Sequence, residues 1–330
     1  MANIFKFFVS IVLSLAIISV VALGYEYSTL GYTPECGASD NVKEPHSLLS
    51  NMTEGWGWNV MDGLGYNNAA VITHPDILIM GSSQMEAAQL PRSQNVASVL
   101  ADKLGGRSVY NVGVSGHFFD ICMSHLDSAC SYFNPRYVVM EASTLFPDED
   151  QMTAVIEGTR PSPTYRAHAL VPFRYLYDYI VPATGVLIGN FGKWRDKNSI
   201  ADENADGMPH YSAAYYETRT AFLRYAAQTA ENHCAHLIIL WNPLQYHLSD
   251  TGTLVFDSDI ADFQKFQADC EALGITAVTT QQQIQTMYAC DHVLPNGFAN
   301  SSLGAGHLNT YGHEAMAQVL CNTISELETP

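Results

Sequence analysis

Basic residues are scarce in this sequence. Fifteen lysines and arginines stand against 33 aspartates and glutamates, a formal charge of −18. Such a surface repels phosphate backbones and releases no counterions on meeting one, which excludes nucleic acid as a partner. The same balance excludes a hold on anionic lipid through a basic patch, so any attachment to a membrane must come from apolar sequence. Charge of either sign is sparse at 15%, hydrophobic residues reach 47%, and no low-complexity tract or fixed-period repeat is present, which excludes disorder and solenoid architectures for the body of the chain. No glycine-rich phosphate loop carries a lysine. None of the 12 histidines pairs at helical spacing beside a glutamate, and the seven cysteines, Cys36, Cys122, Cys130, Cys234, Cys270, Cys290 and Cys321, lack the close paired spacing of a zinc site. No metal, nucleotide or other cofactor is expected. The cysteines are compatible with an oxidising compartment, but Cys122 and Cys130 are too far apart on a helix to bridge, and most read as small buried hydrophobes.

At the start, Lys6 precedes an apolar run over 7–23 broken only by Ser10, Ser14 and Ser19. Its length lies between a signal-peptide core and a spanning helix, and the small residues around Ala22 and Gly24 offer a cleavage site. Residues 1–24 are therefore read as a signal anchor or signal peptide. Lys6 before the run and Glu26, Glu35 and Asp40 after it place the body outside the cytoplasm, on a single-pass anchor or secreted if the signal is cleaved. Residues 25–70 show glycine, asparagine, aspartate and aromatic residues without a sustained period, including Trp56 and Trp58. They read as an extension with no chemistry assigned to it.

From Asp76 onwards apolar runs alternate with helical periodicity, the pattern of βαβ units. Runs at 77–80, 108–112, 137–140, 237–241 and 275–278 predict five strands buried on both faces. Helices are predicted around Val96 to Leu104, with Gly105 and Gly106 as the stop; along Phe119, Cys122, Leu126, Cys130 and Phe133; around Phe263 and Phe266; and along Tyr311, Ala315, Val319, Leu320 and Ile324. The expected fold is α/β, a three-layer α/β/α sandwich over 71–330 on a flavodoxin-like five-stranded parallel sheet. An aromatic-rich stretch at about 146–210 departs from the alternation and reads either as a lid bordering the ligand crevice or as an excursion packed on one side.

A serine hydroxyl becomes a nucleophile only when a base takes its proton and placed donors receive the charge that develops on the carbonyl oxygen. Gly81-Ser82-Ser83-Gln84 follows the first strand at once and sets a hydroxyl at the carboxyl end of the sheet. Asn111-Val112-Gly113-Val114-Ser115-Gly116 follows the second, and His307-Leu308-Asn309 enters the last helix with Asn309 as its N-cap. These blocks resemble those of the SGNH/GDSL hydrolases. The resemblance implies that Ser83 is the nucleophile and an oxyanion donor through its own amide, that the Gly116 amide is a second donor, and that His307 is the base. It spans Asp76 to the C-terminus through three short blocks.

Two positions depart from the family pattern. The third block reads Glu141-Ala142-Ser143-Thr144 with no asparagine, leaving Ser143 or Thr144, or backbone amides alone, to complete the oxyanion hole. Gly304 stands where an acid precedes the histidine. Asp291, earlier in the same approach, is the candidate to orient His307, and a Ser-His dyad steadied by a carbonyl is the alternative. Such departures resemble the anchored, envelope-acting branch of the superfamily. The resemblance then implies an extracytoplasmic serine esterase or O-acyltransferase acting on acyl esters of cell-envelope glycans or on lipid-linked small esters, beside a membrane acyltransferase partner. A binding or assembly protein that keeps the fold without turnover is the other reading.

Overall fold

The computed structural model describes residues 6–11, 13–14, 17, 42–43, 45–142, 144–159 and 211–329. The chain divides into two compact units, one of residues 1–40 with 163–212 and one of 41–162 with 213–330. In the first, the described residues 6–11, 13–14 and 17 are helical and exposed. Among the described residues no helix is long and apolar enough to cross a membrane; much of the predicted anchor, and residues 160–210 of the predicted insertion, lie outside them.

The second unit is built on a parallel sheet of β3 (Ile77–Met80), β4 (Val109–Asn111), β5 (Tyr137–Ala142), β6 (His236–Trp241) and β9 (Thr276–Thr279), in the order β4-β3-β5-β6-β9. All five predicted strands form, each within two residues of its predicted ends. Every residue of β3, β4 and β5 is buried, as the unbroken apolar runs require of strands covered on both faces. Alternation sends Ile77, Ile79, Val109, Tyr137, Val139, Ile238 and Leu240 to one side. There they pack with Val96, Ala97 and Leu100 of α2 (Val96–Lys103) and Met316, Leu320 and Ile324 of α8 (Thr310–Glu328). The opposite face is covered by α3 (Phe119–Phe133) and α5 (Ala213–Asn232), which meet through Phe119 and Phe222 edge to face at 5.7 Å. The result is the predicted three-layer sandwich.

Local signals explain most helix ends. The Gly106 amide donates to Ala101 O at 2.8 Å and the Gly105 amide to Asp102 O at 3.1 Å, with both glycines at positive φ, closing α2 as the glycine pair predicts. Asn309 caps α8 by accepting from the Tyr311 and Gly312 amides. One residue of the predicted buried face is misplaced. Tyr311, in the first turn of α8, is 48% exposed, whereas His313 turns inward and is buried. Its Nδ1 accepts from the Val96 amide at 3.1 Å, tying the last helix to the start of α2. Burial, and then the neighbouring His307, push its pKa down to about 3, so it is a neutral core acceptor.

Before the sheet, β1 (Leu48–Asn51) and β2 (Gly57–Val60) pair as an antiparallel hairpin. It lies in the same compact unit as the sheet. Among the described residues the remaining elements are α1 (Ser83–Glu86), a 3-10 turn (Arg92–Gln94), α4 (Glu149–Ile156), the short antiparallel pair β7 (Tyr246–Leu248) and β8 (Leu254–Phe256), α6 (Ile260–Glu271) and α7 (Gln281–Asp291).

Candidate active site

Strand β3 stops at Met80, and Gly81 follows where no side chain fits. An added Cβ would lie 2.6 Å from Glu141 Oε2 and 2.8 Å from Glu141 Cβ, and would overlap Met85. Ser82 is extended and caps α1, a single turn that Ala87 ends in the left-handed region at φ 53°. The chain thus turns sharply at the carboxyl end of the sheet and puts Ser83 at the first helical position. The amides of a first turn have no partner within their own helix, and Ser83's is one of them. The second block is fastened to this turn: the Val114 amide donates to Gly81 O at 2.9 Å. Gly113 packs so closely on Met85 and Glu86 that a Cβ there would stand 2.7 Å from the Glu86 nitrogen.

The approach to α8 brings the imidazole to the same edge. The Gly297 amide donates to His307 O, and the Asn309 amide to Pro295 O, both at 2.9 Å. The side chain of Gln84, next to the serine, accepts from the Leu308 amide at 2.8 Å, joining the two blocks directly. His307 Nε2 then lies 3.0 Å from Ser83 Oγ. Residues 224 positions apart are in hydrogen-bond contact.

The acid in contact with His307 is Glu54, not the expected Asp291. Glu54 Oε2 lies 2.6 Å from His307 Nδ1, and Glu54 Oε1 accepts from the His307 amide at 2.6 Å. A carboxylate on Nδ1 requires a proton there, which leaves Nε2 as the acceptor facing Ser83. Asp291 ends α7 as an exposed residue, and His292 at φ 54° turns the chain away after it. The extension that the sequence left without chemistry therefore supplies the carboxylate beside His307. Its residues at 52–56 form the tip of the hairpin, and side chains hold that tip in place. Asn51 Oδ1 accepts from the Glu54 amide at 3.0 Å. Asn300 accepts from the Gly55 amide at 2.8 Å while donating to Met52 O and Gly55 O. Gly306, at φ 83°, leaves room for the carboxylate, since a Cβ there would overlap Glu54 Oε1. Nothing in spacing marked Glu54: it lies 253 residues from its histidine in a segment without period, and the only local signal was a Thr-Glu-Gly turn.

The oxyanion candidates separate. Gly116 lies in the turn after β4 at φ 87°, and its carbonyl accepts from the Phe118 amide at 3.1 Å. Thr144 is exposed, and its hydroxyl accepts from the Phe146 amide at 3.1 Å, a local turn bond. Ser143 lies outside the described residues.

No family model matches the chain, and no curated protein matches it. Solved structures do. The similar structures include GDSL-type lipolytic enzymes and an acetylxylan esterase. A GDSL-like lipase from Bacteroides thetaiotaomicron is 12% identical, with 76% of this chain and 88% of that one covered at a TM-score of 0.37. A catalytic mutant of the acetylxylan esterase Axe2 from Geobacillus stearothermophilus is 12% identical, covering 77% and 95% at 0.41. TesA is 14% identical, covering 76% and 98% at 0.40. At these values the likeness carries no chemistry, and the functional reading rests on the site itself.

Proposed function

We propose that the protein is a serine hydrolase or acyltransferase of the SGNH/GDSL type acting on acyl esters. The observation that carries this is the chain of contacts Ser83 Oγ to His307 Nε2 at 3.0 Å and His307 Nδ1 to Glu54 Oε2 at 2.6 Å. As the Ser83 oxygen attacks an ester carbonyl, its proton passes to His307 Nε2, and the Glu54 carboxylate stabilises the imidazolium that forms. The carbonyl oxygen becomes an oxyanion, received by the amides of Ser83 and Gly116. Collapse breaks the ester C–O bond, and His307 returns its proton to the leaving alcohol. Water, or a second hydroxyl, then takes the acyl group from Ser83 with His307 again as base.

The substrate proposed is an acyl or acetyl ester of a cell-envelope glycan, met outside the cytoplasm by a domain held on the apolar segment at 7–23. In support, Trp56 and Trp58 lie on the hairpin that carries Glu54 and are 63% and 57% exposed. Aromatic faces beside a catalytic acid suit the stacking of sugar rings, and they present no charge to a neutral glycan. A membrane acyltransferase would be the partner supplying or receiving the acyl group.

The test is labelling of the full chain with a fluorophosphonate probe, together with release of free acid from p-nitrophenyl acetate and from acetylated xylan. Labelling and release that Ser83→Ala abolishes support the hydrolase, and acyl transfer to a sugar acceptor without release supports the transferase. A folded protein whose Ser83 takes no probe and turns over neither ester is a binding or assembly protein, and the enzyme reading fails.

A further inference from the structure

The nucleophile turn has a second carboxylate beside it. Met80 pairs with Met140 in the sheet register, which brings the next residue of β5, Glu141, alongside Gly81. Glu141 follows Tyr137-Val138-Val139-Met140 in a strand buried throughout, where the surrounding pattern calls for an apolar side chain. An acid in such a place breaks the local rule, and rules of this kind are broken mainly at functional sites. Its Oε2 accepts two hydrogen bonds, both from Ser82: the amide at 2.7 Å and the hydroxyl at 2.8 Å. Gly81 has no Cβ, which leaves the space that the carboxylate occupies. Burial pushes the pKa of Glu141 up, while the two Ser82 donors and the nearby His307 pull it down. The site thus places a costly buried acid where it grips the residue immediately before the nucleophile.

We infer that Glu141 is a positioning residue of the nucleophile turn, holding Ser82 so that the Ser83 hydroxyl faces His307 and the Ser83 amide faces the forming oxyanion. The inference rests on the hydrolase reading above. Ser82 is fixed at both its amide and its hydroxyl by one oxygen, so neither its φ nor its χ1 can rotate without breaking a bond to a buried carboxylate, and the Cα from which the chain turns into Ser83 is held in place. This turn has only one helical turn behind it, Ser83–Glu86, and the third block brings no asparagine to share the oxyanion. The amide of Ser83 therefore carries more of that charge, and its orientation matters more.

The experiment measures kcat, KM and the fluorophosphonate labelling rate of the full chain bearing Glu141→Ala, Glu141→Gln, Ser82→Ala or the Glu141→Ala, Ser82→Ala pair. Displacement of a reacting group by an ångström costs roughly a hundredfold, so Glu141→Ala is expected to lose about that much in kcat. KM should stay within about twofold, with labelling slowed in parallel, as befits a group acting on the transition state alone. Glu141→Gln keeps an acceptor oxygen and should recover at least about tenfold of the loss. Because Glu141 acts through Ser82, the pair should be no slower than Glu141→Ala alone. The inference is overturned if folded Glu141→Ala keeps its kcat within about threefold of the parent, if only KM moves, or if the two substitutions add. Should Glu141→Ala fail to fold, Glu141→Gln with and without Ser82→Ala carries the same comparison. An unlabelled parent chain overturns the hydrolase reading itself, whereas a labelled parent with an equally labelled Glu141→Ala overturns only the positioning role.

Discussion

Replacing Glu54 by glutamine removes one charge and almost no volume. In the parent, both carboxylate oxygens are engaged, one by the His307 amide and one by Nδ1, each at 2.6 Å. A glutamine can keep its oxygen on the backbone amide, but its NH2 group then faces Nδ1, where two donors cannot meet. The imidazole must move its proton to Nε2, and that N–H points at Ser83 Oγ, 3.0 Å away, so the base becomes a donor. The magnitude follows from what is lost, which is both the correct tautomer and the countercharge for the imidazolium; the same change in serine protease triads costs about 10⁴ in kcat. We expect kcat to fall by about 10³ to 10⁴ with KM little changed, and fluorophosphonate labelling to slow by a similar factor. Steady-state kinetics on p-nitrophenyl acetate, beside timed labelling, give both numbers. Asp291→Asn serves as the comparison and should leave kcat unaltered, since Asp291 is exposed at the end of α7. Glu54→Gln retaining kcat within about tenfold, or Asp291→Asn losing it, would refute the assignment of the third member.

Asn300→Ala removes three hydrogen bonds to the hairpin tip but touches no reacting group; kcat should fall by about tenfold to a hundredfold while the thermal midpoint drops only a few degrees, read by kinetics beside calorimetry. Gly306→Ala forces a Cβ into Glu54 Oε1 at a positive φ, so it should reproduce most of the Glu54→Gln defect in labelling. His313 supplies a pH dependence of stability. Its pKa is about 3 in the fold against an ordinary 6.5, so below 6.5 the unfolded chain binds a proton that the native state refuses. Its stabilisation is complete above that value and is lost as the pH falls towards 3, at up to about 1.4 kcal/mol per pH unit. Urea unfolding at pH 7, 6 and 5 should show a shallower slope in His313→Gln than in the parent, and equal slopes would refute the assignment.

Much of the sheet was written in local pattern. Ile77 to Met80 is four apolar residues closed by glycine, and Leu237 to Trp241 is an apolar run stopped by Pro243; a strand buried on both faces needs no other code. The serine turn and the histidine before an asparagine cap were legible for the same reason, because a strand end and a helix start each fix geometry within a few residues. Tyr311 and His313 show the limit. Two residues apart, they lie on nearly opposite faces of the helix, so only one can face the core; the sequence reading chose Tyr311, and the packing of α8 on α2 chose the imidazole, which finds the Val96 amide to accept from.

The sequence alone determined where Ser83 and His307 would stand, one at a strand end and one before a helix start, since both depend on turns encoded next to them. It did not determine the acid. A carboxylate needs only to end within hydrogen-bond reach of Nδ1, and a residue of any segment can meet that condition. Glu54 meets it because the hairpin folds back and Asn300 holds its tip against the 296–306 loop, contacts that no period or spacing in the chain announces. For the same reason the grip of Glu141 on Ser82 was hidden: strand register, a relation between distant segments, sets one beside the other.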